Sequence, residues 1–128
     1  MAFSKGRNIA VWVVSALLGL LFVAAGAGKF FDPQAKVMFV KWGWPDWLRI
    51  AVGVVELSGG ALLLVPRAVP TAAALLAATM AGAAFTHLRA PGEALSALGP
   101  LLVIGGLAFV GWSRWRERSP SAGLAGTP

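Results

Sequence analysis

The chain has 128 residues, of which 58% are hydrophobic and only 12% are charged, with a formal net charge of +6. Soluble domains average about 25% charged residues, and short chains bury the smallest share of their surface, so a water-soluble fold is excluded. The basic residues lie between and beyond the apolar blocks, which favours topology signals and headgroup contacts over nucleic acid. Cysteine is absent, which excludes disulfides, thiolate metal sites and thiol redox pairs in this chain.

Four apolar blocks follow one another along the chain, at residues 9–28, 48–65, 69–88 and 94–112. Each has 18 to 20 residues, and a membrane-spanning helix needs about 20, with a range of about 17–25. Because an apolar run in lipid must satisfy its own backbone hydrogen bonds, each block is predicted to be a helix. The sequence therefore predicts one all-α domain, an antiparallel bundle of four transmembrane helices preceded by a basic flank at residues 1–8.

The longest connection, residues 29–47, separates the first two blocks. Asp32 followed by Pro33 is typical of a helix start, with Asp32 as the N-cap and Pro33 in the first helical position. A short helix lying on the membrane surface is predicted here. Six tryptophans form two groups, which is typical of belts at the two interfaces, with core packing as the alternative for any one of them. The groups are Trp42, Trp44 and Trp47 on one side, and Trp12, Trp112 and Trp115 on the other.

The remaining connections are short. Prolines at both ends of residues 65–70 predict a tight antiparallel hairpin, residues 89–93 join the last two blocks, and Pro100 is expected to bend the fourth helix. Four crossings place both termini on one side, which the distribution of Lys and Arg slightly favours as the cytoplasm. We therefore predict a multi-pass protein of the cell (inner) membrane with both termini cytoplasmic. Residues 113–128 begin as a basic segment, and residues 119–128 are predicted to be disordered.

Glu56 is the most informative residue, because it lies about 12 Å into the second helix, near the middle of a hydrocarbon core about 30 Å thick. Insertion of a charged side chain there costs at least about 2.5–3.5 kcal/mol unless a partner group pairs with it, so Glu56 is predicted to face the bundle interior. Steps of four, three and four residues place Arg49, Gly53 and Gly60 on the same helical face. The two glycines would allow a neighbouring helix to approach closely.

Three further polar residues end neighbouring helices on the side where the second helix begins. Lys29 ends the first helix, and Thr86 and His87 end the third. The sequence thus predicts a polar cluster of candidate ligand-binding residues: Lys29, Arg49, Glu56, Thr86 and His87. Each cation also has a simpler interpretation, in which Lys29 and Arg49 reach lipid headgroups and His87 is interfacial. For Glu56 the alternative is a structural ion pair that fixes helix packing.

Known catalytic signatures are incomplete in this sequence. One histidine and one glutamate do not complete a zinc site, and a b-type haem would need a second axial ligand, so no metal site is predicted. The sequence contains neither a phosphate-binding loop after a strand nor a nucleophile elbow, and no catalytic residue is assigned. A quinone remains open as the cofactor, because Lys29, His87 and nearby tryptophans would supply the donors and aromatic wall of a quinone pocket.

Three short patterns occur in order: AGAGKF at residues 25–30, RIAVGVVELSGG at residues 49–60 and MAGAAFTHL at residues 80–88. Over roughly residues 9–112 the chain resembles the DoxX-like family of small four-helix membrane proteins. The resemblance implies that Lys29, Glu56 and His87 occupy recurrent polar positions of the family. It also implies a redox association, since the family is named for a membrane subunit associated with an archaeal thiosulfate:quinone oxidoreductase. Most members have no established activity.

Three hypotheses for function follow. The leading one is a membrane subunit or accessory of a quinone-linked redox system, acting with a partner subunit. The second is a membrane binding or transport module for a small hydrophobic molecule or lipid. The third is a scaffold in which the ion pair of Glu56 is purely structural. All three place the chain in a lipid bilayer, and none involves nucleic acid.

Overall fold

The computed structural model describes residues 5–118, and every regular element within them is a helix. The elements are α1 (Lys5–Phe31), α2 (Pro33–Trp42), α3 (Asp46–Leu62), α4 (Val69–Arg89), a 3₁₀ helix (Ala94–Ala97) and α5 (Leu98–Arg118). The predicted all-α class is confirmed. Residues 119–128, which the sequence predicts to be disordered, lie outside the described part.

Three stretches are long and apolar enough to cross a membrane: Lys5–Phe31, Val69–Arg89 and Ala94–Glu117. Large apolar side chains on the first and third of these stretches, such as Leu17, Leu20 and Leu102, are at least 65% exposed, and Leu88 of the second is 61% exposed. Extensive exposed apolar surface is costly in water and favourable in lipid, so these helices are suited to a bilayer. The remaining predicted block, residues 48–65, corresponds to α3, which has 17 residues and carries Asp46, Arg49 and Glu56.

Helices α1 and α3 approach so closely that their backbones touch. A Cβ atom added at Gly26 would lie 2.7 Å from the backbone nitrogen of Leu57. One added at Gly19 would lie 2.8 Å from the carbonyl oxygen of Gly60, and one at Gly60 would lie 2.9 Å from the carbonyl oxygen of Gly19. Small residues at such interfaces allow close van der Waals packing of helices in lipid. We call this contact, made at Gly19, Gly26 and Gly60, the glycine seam.

The bundle has two ends, which differ in packing. At the end where α1 begins and α5 finishes, apolar side chains from α1, α4 and α5 and from the residue that follows α3 form one buried cluster that includes Val11, Phe22, Leu63, Leu76 and Val110. At the opposite end the chain passes through α2, and the side chains between α3 and α4 are separated by a cavity. We call the first the terminal end and the second the α2 end.

Local sequence explains how α2 begins and ends. The Asp32 carboxylate accepts a hydrogen bond of 2.9 Å from the backbone nitrogen of Gln34, and Pro33 occupies the first turn, so the predicted helix start is confirmed. The helix ends at Gly43, whose φ of 79° is a left-handed conformation that glycine adopts without a steric penalty. These two caps define α2 as a separate short helix across the end of the bundle.

The fourth predicted block, residues 94–112, changes helix type near its start. It begins as the 3₁₀ helix Ala94–Ala97 and becomes α-helical at Leu98, so that Pro100 lies in the first turn of α5. A proline is tolerated there because the amide hydrogens of the first turn have no intrahelical acceptor. The proline predicted to bend this helix thus lies at the start of α5, directly after the change of helix type.

Candidate functional site

A cavity of about 590 Å³ lies beneath α2, between α3 and α4. Aromatic and sulfur-containing side chains form much of its wall: Met38, Phe39, Trp42, Trp44, Met80 and Phe85. Leu48 and Val52 of α3 add further apolar surface. Polar side chains border it at several points: Lys29, Asp32, Gln34, Glu56, Thr79, Thr86 and His87. An apolar chamber with a few polar groups at its edge is the usual form of a small-molecule site.

Lys29 and Glu56 form an ion pair at one side of this cavity. The Lys29 Nζ lies 2.5 Å from Glu56 Oε1, and the Glu56 side chain is only 2% exposed, whereas that of Lys29 is 20% exposed. The glycine seam makes this contact possible, because it brings the end of α1 against the middle of α3. The pair joins these helices and presents both side chains to the cavity.

Arg49 belongs to a different contact. Its guanidinium donates two hydrogen bonds to the carboxylate of Asp46, of 2.9 Å and 3.1 Å, and a third to the carbonyl oxygen of Lys29. Arg49 therefore ties the end of α1 to the start of α3, and the structure does not bring it to Glu56.

A second polar centre forms around Glu93, in the connection after α4. The Glu93 carboxylate accepts from Lys41 Nζ at 2.8 Å and from Trp42 Nε1 at 3.1 Å and 3.3 Å. It also lies 2.9 Å from Nδ1 of His87. Hydrogen bonds from Lys41 and His87 lower the pKa of Glu93 to about 2, against the opposing effect of desolvation. The carboxylate thus stays ionised and binds α2 to the end of α4.

Two further contacts hold the chain over the cavity. The Trp44 Nε1 donates a hydrogen bond of 3.1 Å to the Thr86 hydroxyl, which in turn donates to the carbonyl oxygen of Gly82 at 2.8 Å. The Arg89 guanidinium donates to the carbonyl oxygen of Trp42 and lies 4.5 Å from the centre of the Trp44 ring. Trp42 and Trp44 are therefore bound to protein partners, while Trp47 is 67% exposed.

The predicted cluster is therefore divided into three groups of contacts. Lys29 and Glu56 are in direct contact, Arg49 pairs with Asp46, and the α4 residues contact the segment around α2. Lys29, Glu56, Thr86 and His87 nevertheless line one cavity, which Arg49 does not.

Sequence reasoning missed Glu93 and its partners Lys41 and Trp42. The chain has five acidic residues against eleven basic ones, and Glu93 lies six residues after the single histidine. An acid so scarce and so close to His87 and Arg89 could have been singled out as their counter-ion. The contact with Trp42 spans 51 residues of sequence, and no local pattern points to it.

A separate polar group lies at the terminal end, far from the cavity. Arg114 is only 4% exposed, and its guanidinium donates to Glu117 at 2.7 Å and to Asn8 at 3.2 Å while lying 5.3 Å from the centre of the Trp12 ring. The sequence interpretation of Arg114 as a topology signal did not foresee this burial. Arg114 joins α1 to α5, as Lys29 joins α1 to α3.

Metal ligation finds no support in the geometry of the described residues, among which no group of three or more His, Asp or Glu side chains could hold an ion. What these residues build is a cavity with apolar walls, an ion pair on one side and an oriented imidazole on another.

The long apolar helices and this lateral cavity define a helical membrane protein with a candidate small-molecule site. The profile of the DoxX-like family matches residues 13–111, which is most of the chain, and the protein belongs to that family. No curated protein and no solved structure matches the sequence. The resemblance seen in the three sequence patterns is thereby confirmed, while the family name assigns no ligand.

Proposed function

We propose that this protein binds a small amphipathic molecule in the cavity beneath α2. The observation that carries the proposal is the cavity itself, whose volume of about 590 Å³ falls within the range of about 300–1,000 Å³ of small-molecule sites. Its walls suit an apolar body, and the polar side chains Lys29, Glu56 and His87 suit a polar group at the edge of that body. This is the binding-module hypothesis of the sequence, now attached to a defined site.

The proposal includes the arrangement in the bilayer. We infer that α3 is a fourth crossing, because its 17 residues span about 25 Å and its three buried glycines and Glu56 face protein rather than lipid. We infer that α2 lies in the interface, because Val37 and Val40 are exposed on it beside Lys36 and Lys41. Four crossings would place both termini on one side, which we infer from the distribution of Lys and Arg to be the cytoplasm. The cavity would then open near the outer headgroups.

The test uses a substitution that fills the cavity. A Cβ atom added at Gly82 would meet nothing within 4 Å, and Gly82 lines the cavity, so we choose leucine in this position to occupy the space. Gly105 of α5 is equally open but does not line the cavity, which makes Gly105→Leu the matched control. The probe is a long-chain alcohol carrying a photoreactive diazirine, added to the full chain in lipid nanodiscs.

We expect photolabelling of the wild type at peptides that contain Met38 or Met80, and the same pattern in Gly105→Leu. In Gly82→Leu this labelling should fall by about tenfold, because the side chain takes the place of the probe. Equal labelling of all three proteins, or labelling confined to the outer faces of α1 and α5, would sink the proposal.

A quinone-linked membrane subunit, the leading hypothesis from the sequence, becomes the second candidate. The specific observation in its favour is the aromatic wall of Phe39, Trp42 and Trp44 beside Lys29 and His87, which is suited to a planar ring with oxygen substituents. In this role the electrons would pass through a partner subunit. A short-chain quinone analogue should quench tryptophan fluorescence in the wild type and Gly105→Leu but not in Gly82→Leu. An unchanged quench in Gly82→Leu would reject the quinone.

A further inference from the structure

The geometry around His87 points to the class of molecule that the cavity selects. We propose that His87 accepts a hydrogen bond from a hydroxyl group of the ligand through Nε2, and that Glu93 is the positioning residue that fixes His87 as an acceptor. This inference rests on the proposed function, since it presupposes that the cavity binds a small molecule. It adds that the molecule carries a hydrogen-bond donor on an otherwise apolar body.

The other partners of the Glu93 carboxylate decide where the proton between His87 and Glu93 lies. Two of the three partners of the Glu93 carboxylate, the Lys41 ammonium and the Trp42 indole N–H, can only donate hydrogen bonds. Their donation favours the ionised carboxylate, which only accepts. The hydrogen between Glu93 Oε1 and His87 Nδ1, 2.9 Å apart, must therefore reside on Nδ1.

The proton on Nδ1 of His87 determines what the other ring nitrogen, Nε2, can do. A neutral ring with its proton on Nδ1 carries a lone pair and no proton on Nε2. Among the residues that the structure describes, no hydrogen bond reaches Nε2 of His87. The edge-to-face contact with Trp42, with ring centroids 5.5 Å apart, helps to hold the ring in place at the cavity wall. Glu93 and Trp42 together give the cavity an oriented acceptor.

The other polar groups near His87 already make hydrogen bonds within the protein. The Thr86 hydroxyl donates to Gly82 and accepts from Trp44, and the Trp42 indole N–H donates to Glu93. The charged groups in contact with this region are Glu93, which faces His87 directly, Lys41, which binds the far oxygen of Glu93, and Arg89, which donates to the carbonyl oxygen of Trp42. The acceptor left for a ligand in this corner is His87 Nε2. A phenol or an alcohol would satisfy it, whereas an ether of the same shape would not.

The first experiment reads the tautomer directly. His87 is the single histidine of the chain, so ¹⁵N-histidine labelling of the full protein in nanodiscs gives one pair of ring nitrogen signals. At mildly alkaline pH we expect a protonated Nδ1 and a bare Nε2. The Glu93→Gln protein should show a mixture of the two tautomers, because an amide can either accept from or donate to Nδ1. A wild-type ring protonated on Nε2, alone or on both nitrogens, would overturn the proposal.

The second experiment compares two probes that differ only in the donor, 1-naphthol and 1-methoxynaphthalene. Binding is measured relative to Gly82→Leu in the same nanodiscs, which removes the difference in lipid partition. The wild type should favour the naphthol by about three- to tenfold, in line with the net value of one hydrogen bond. His87→Phe keeps a ring in the wall but no acceptor, and it should bind both probes equally.

The two proposals fail in different ways. If neither probe binds more tightly to the wild type than to Gly82→Leu, the cavity is not a ligand site and the proposed function falls with this inference. If both probes bind the wild type equally well, the cavity binds small molecules but His87 does not select a hydroxyl group. A preference for naphthol that persists in His87→Phe would assign the acceptor to another residue and equally reject the role of His87.

Discussion

The two sides of α3 are built in opposite ways. On the side of α1 the backbones touch along the glycine seam, and a single added carbon at Gly26 would lie 2.7 Å from a backbone nitrogen. On the side of α4 the helices meet near the terminal end, where Gly59 packs against Leu76, and then separate around the cavity. The comparison teaches that one helix can serve as a rigid support on one face and as the wall of a site on the other.

The contacts that bridge the two sides differ in kind. The seam is made of backbone and glycine, which cannot rearrange without moving a helix. The open side is crossed by hydrogen bonds between the segment around α2 and the side chains of Glu93, Thr86 and Arg89; the first two accept and Arg89 donates. Such bonds exchange individually for water or ligand at a modest free energy of about 1 kcal/mol each. We therefore expect the largest effects of substitution at the seam and smaller ones toward α2.

The most severe test of this comparison is Gly26→Val. The added side chain would overlap the backbone of α3 at Leu57, and we expect a loss of about 3 kcal/mol or more in the free energy of unfolding, because neither backbone can move aside. Gly28→Val is the matched control on the same helix, since a Cβ atom there meets nothing within 4 Å. Thermal midpoints in one detergent measure both. A Gly26→Val protein as stable as Gly28→Val would remove the distinction between seam and cavity.

The ion pair at the border of the two sides should come next in effect. Lys29→Met leaves the buried Glu56 carboxylate without its partner, and we expect a cost of about 2 kcal/mol, below the value for a fully buried pair because Lys29 is partly exposed. Replacing both residues, as Lys29→Met with Glu56→Leu, should restore part of the stability. A purely structural pair would lower the thermal midpoint without changing photolabelling of the cavity. A change in labelling at unchanged stability would instead assign the pair to ligand binding.

Sequence reasoning reached the frame of this molecule more readily than its site. Long uncharged runs fix helices through the cost of unpaired backbone in lipid, and Asp32-Pro33 fixes a helix start through a local hydrogen bond. Helical spacing likewise placed Glu56 and the glycines on one face, and the structure finds Gly53, Glu56 and Gly60 buried together. These inferences hold because they depend on residues close in sequence.

The contacts of the site depend on residues far apart in sequence. Helical spacing put Arg49 on the face of Glu56, but it could not reveal that Asp46, three residues away, would take the guanidinium instead. The partnership of Trp42 with Glu93 follows from how α2 crosses the bundle, and that path is set by tertiary packing. Topology in the membrane remains a prediction of charge counts.

The Glu93 centre gives a test in pH. The folded pKa of Glu93 is about 2, below the ordinary value of 4.5, so its contacts stabilise the fold fully above about pH 4.5 and lose this effect as the pH falls toward 2. The difference in thermal midpoint between the wild type and Glu93→Gln should therefore be largest above pH 4.5 and should shrink as the pH falls toward 2. It should stay smaller than the effect of Lys29→Met. Asp46 titrates in both proteins and cancels from the difference, and a gap that is constant down to pH 2 would contradict the assignment.

The smallest expected effect lies in α2. It tests most directly the difference between the glycine seam and the side-chain hydrogen bonds that hold α2. Asp32→Ala removes the hydrogen bond to the backbone nitrogen of Gln34, and N-cap losses cost about 0.5–2 kcal/mol. Because α2 is held at its other end by Glu93 and Arg89, we expect the cost to appear as faster hydrogen exchange at residues 33–42 rather than along the seam. Asp32→Asn keeps a capping oxygen and should exchange like the wild type. Faster exchange in α3 as well would mean that α2 and the glycine seam unfold together, so that α2 is not a separate element.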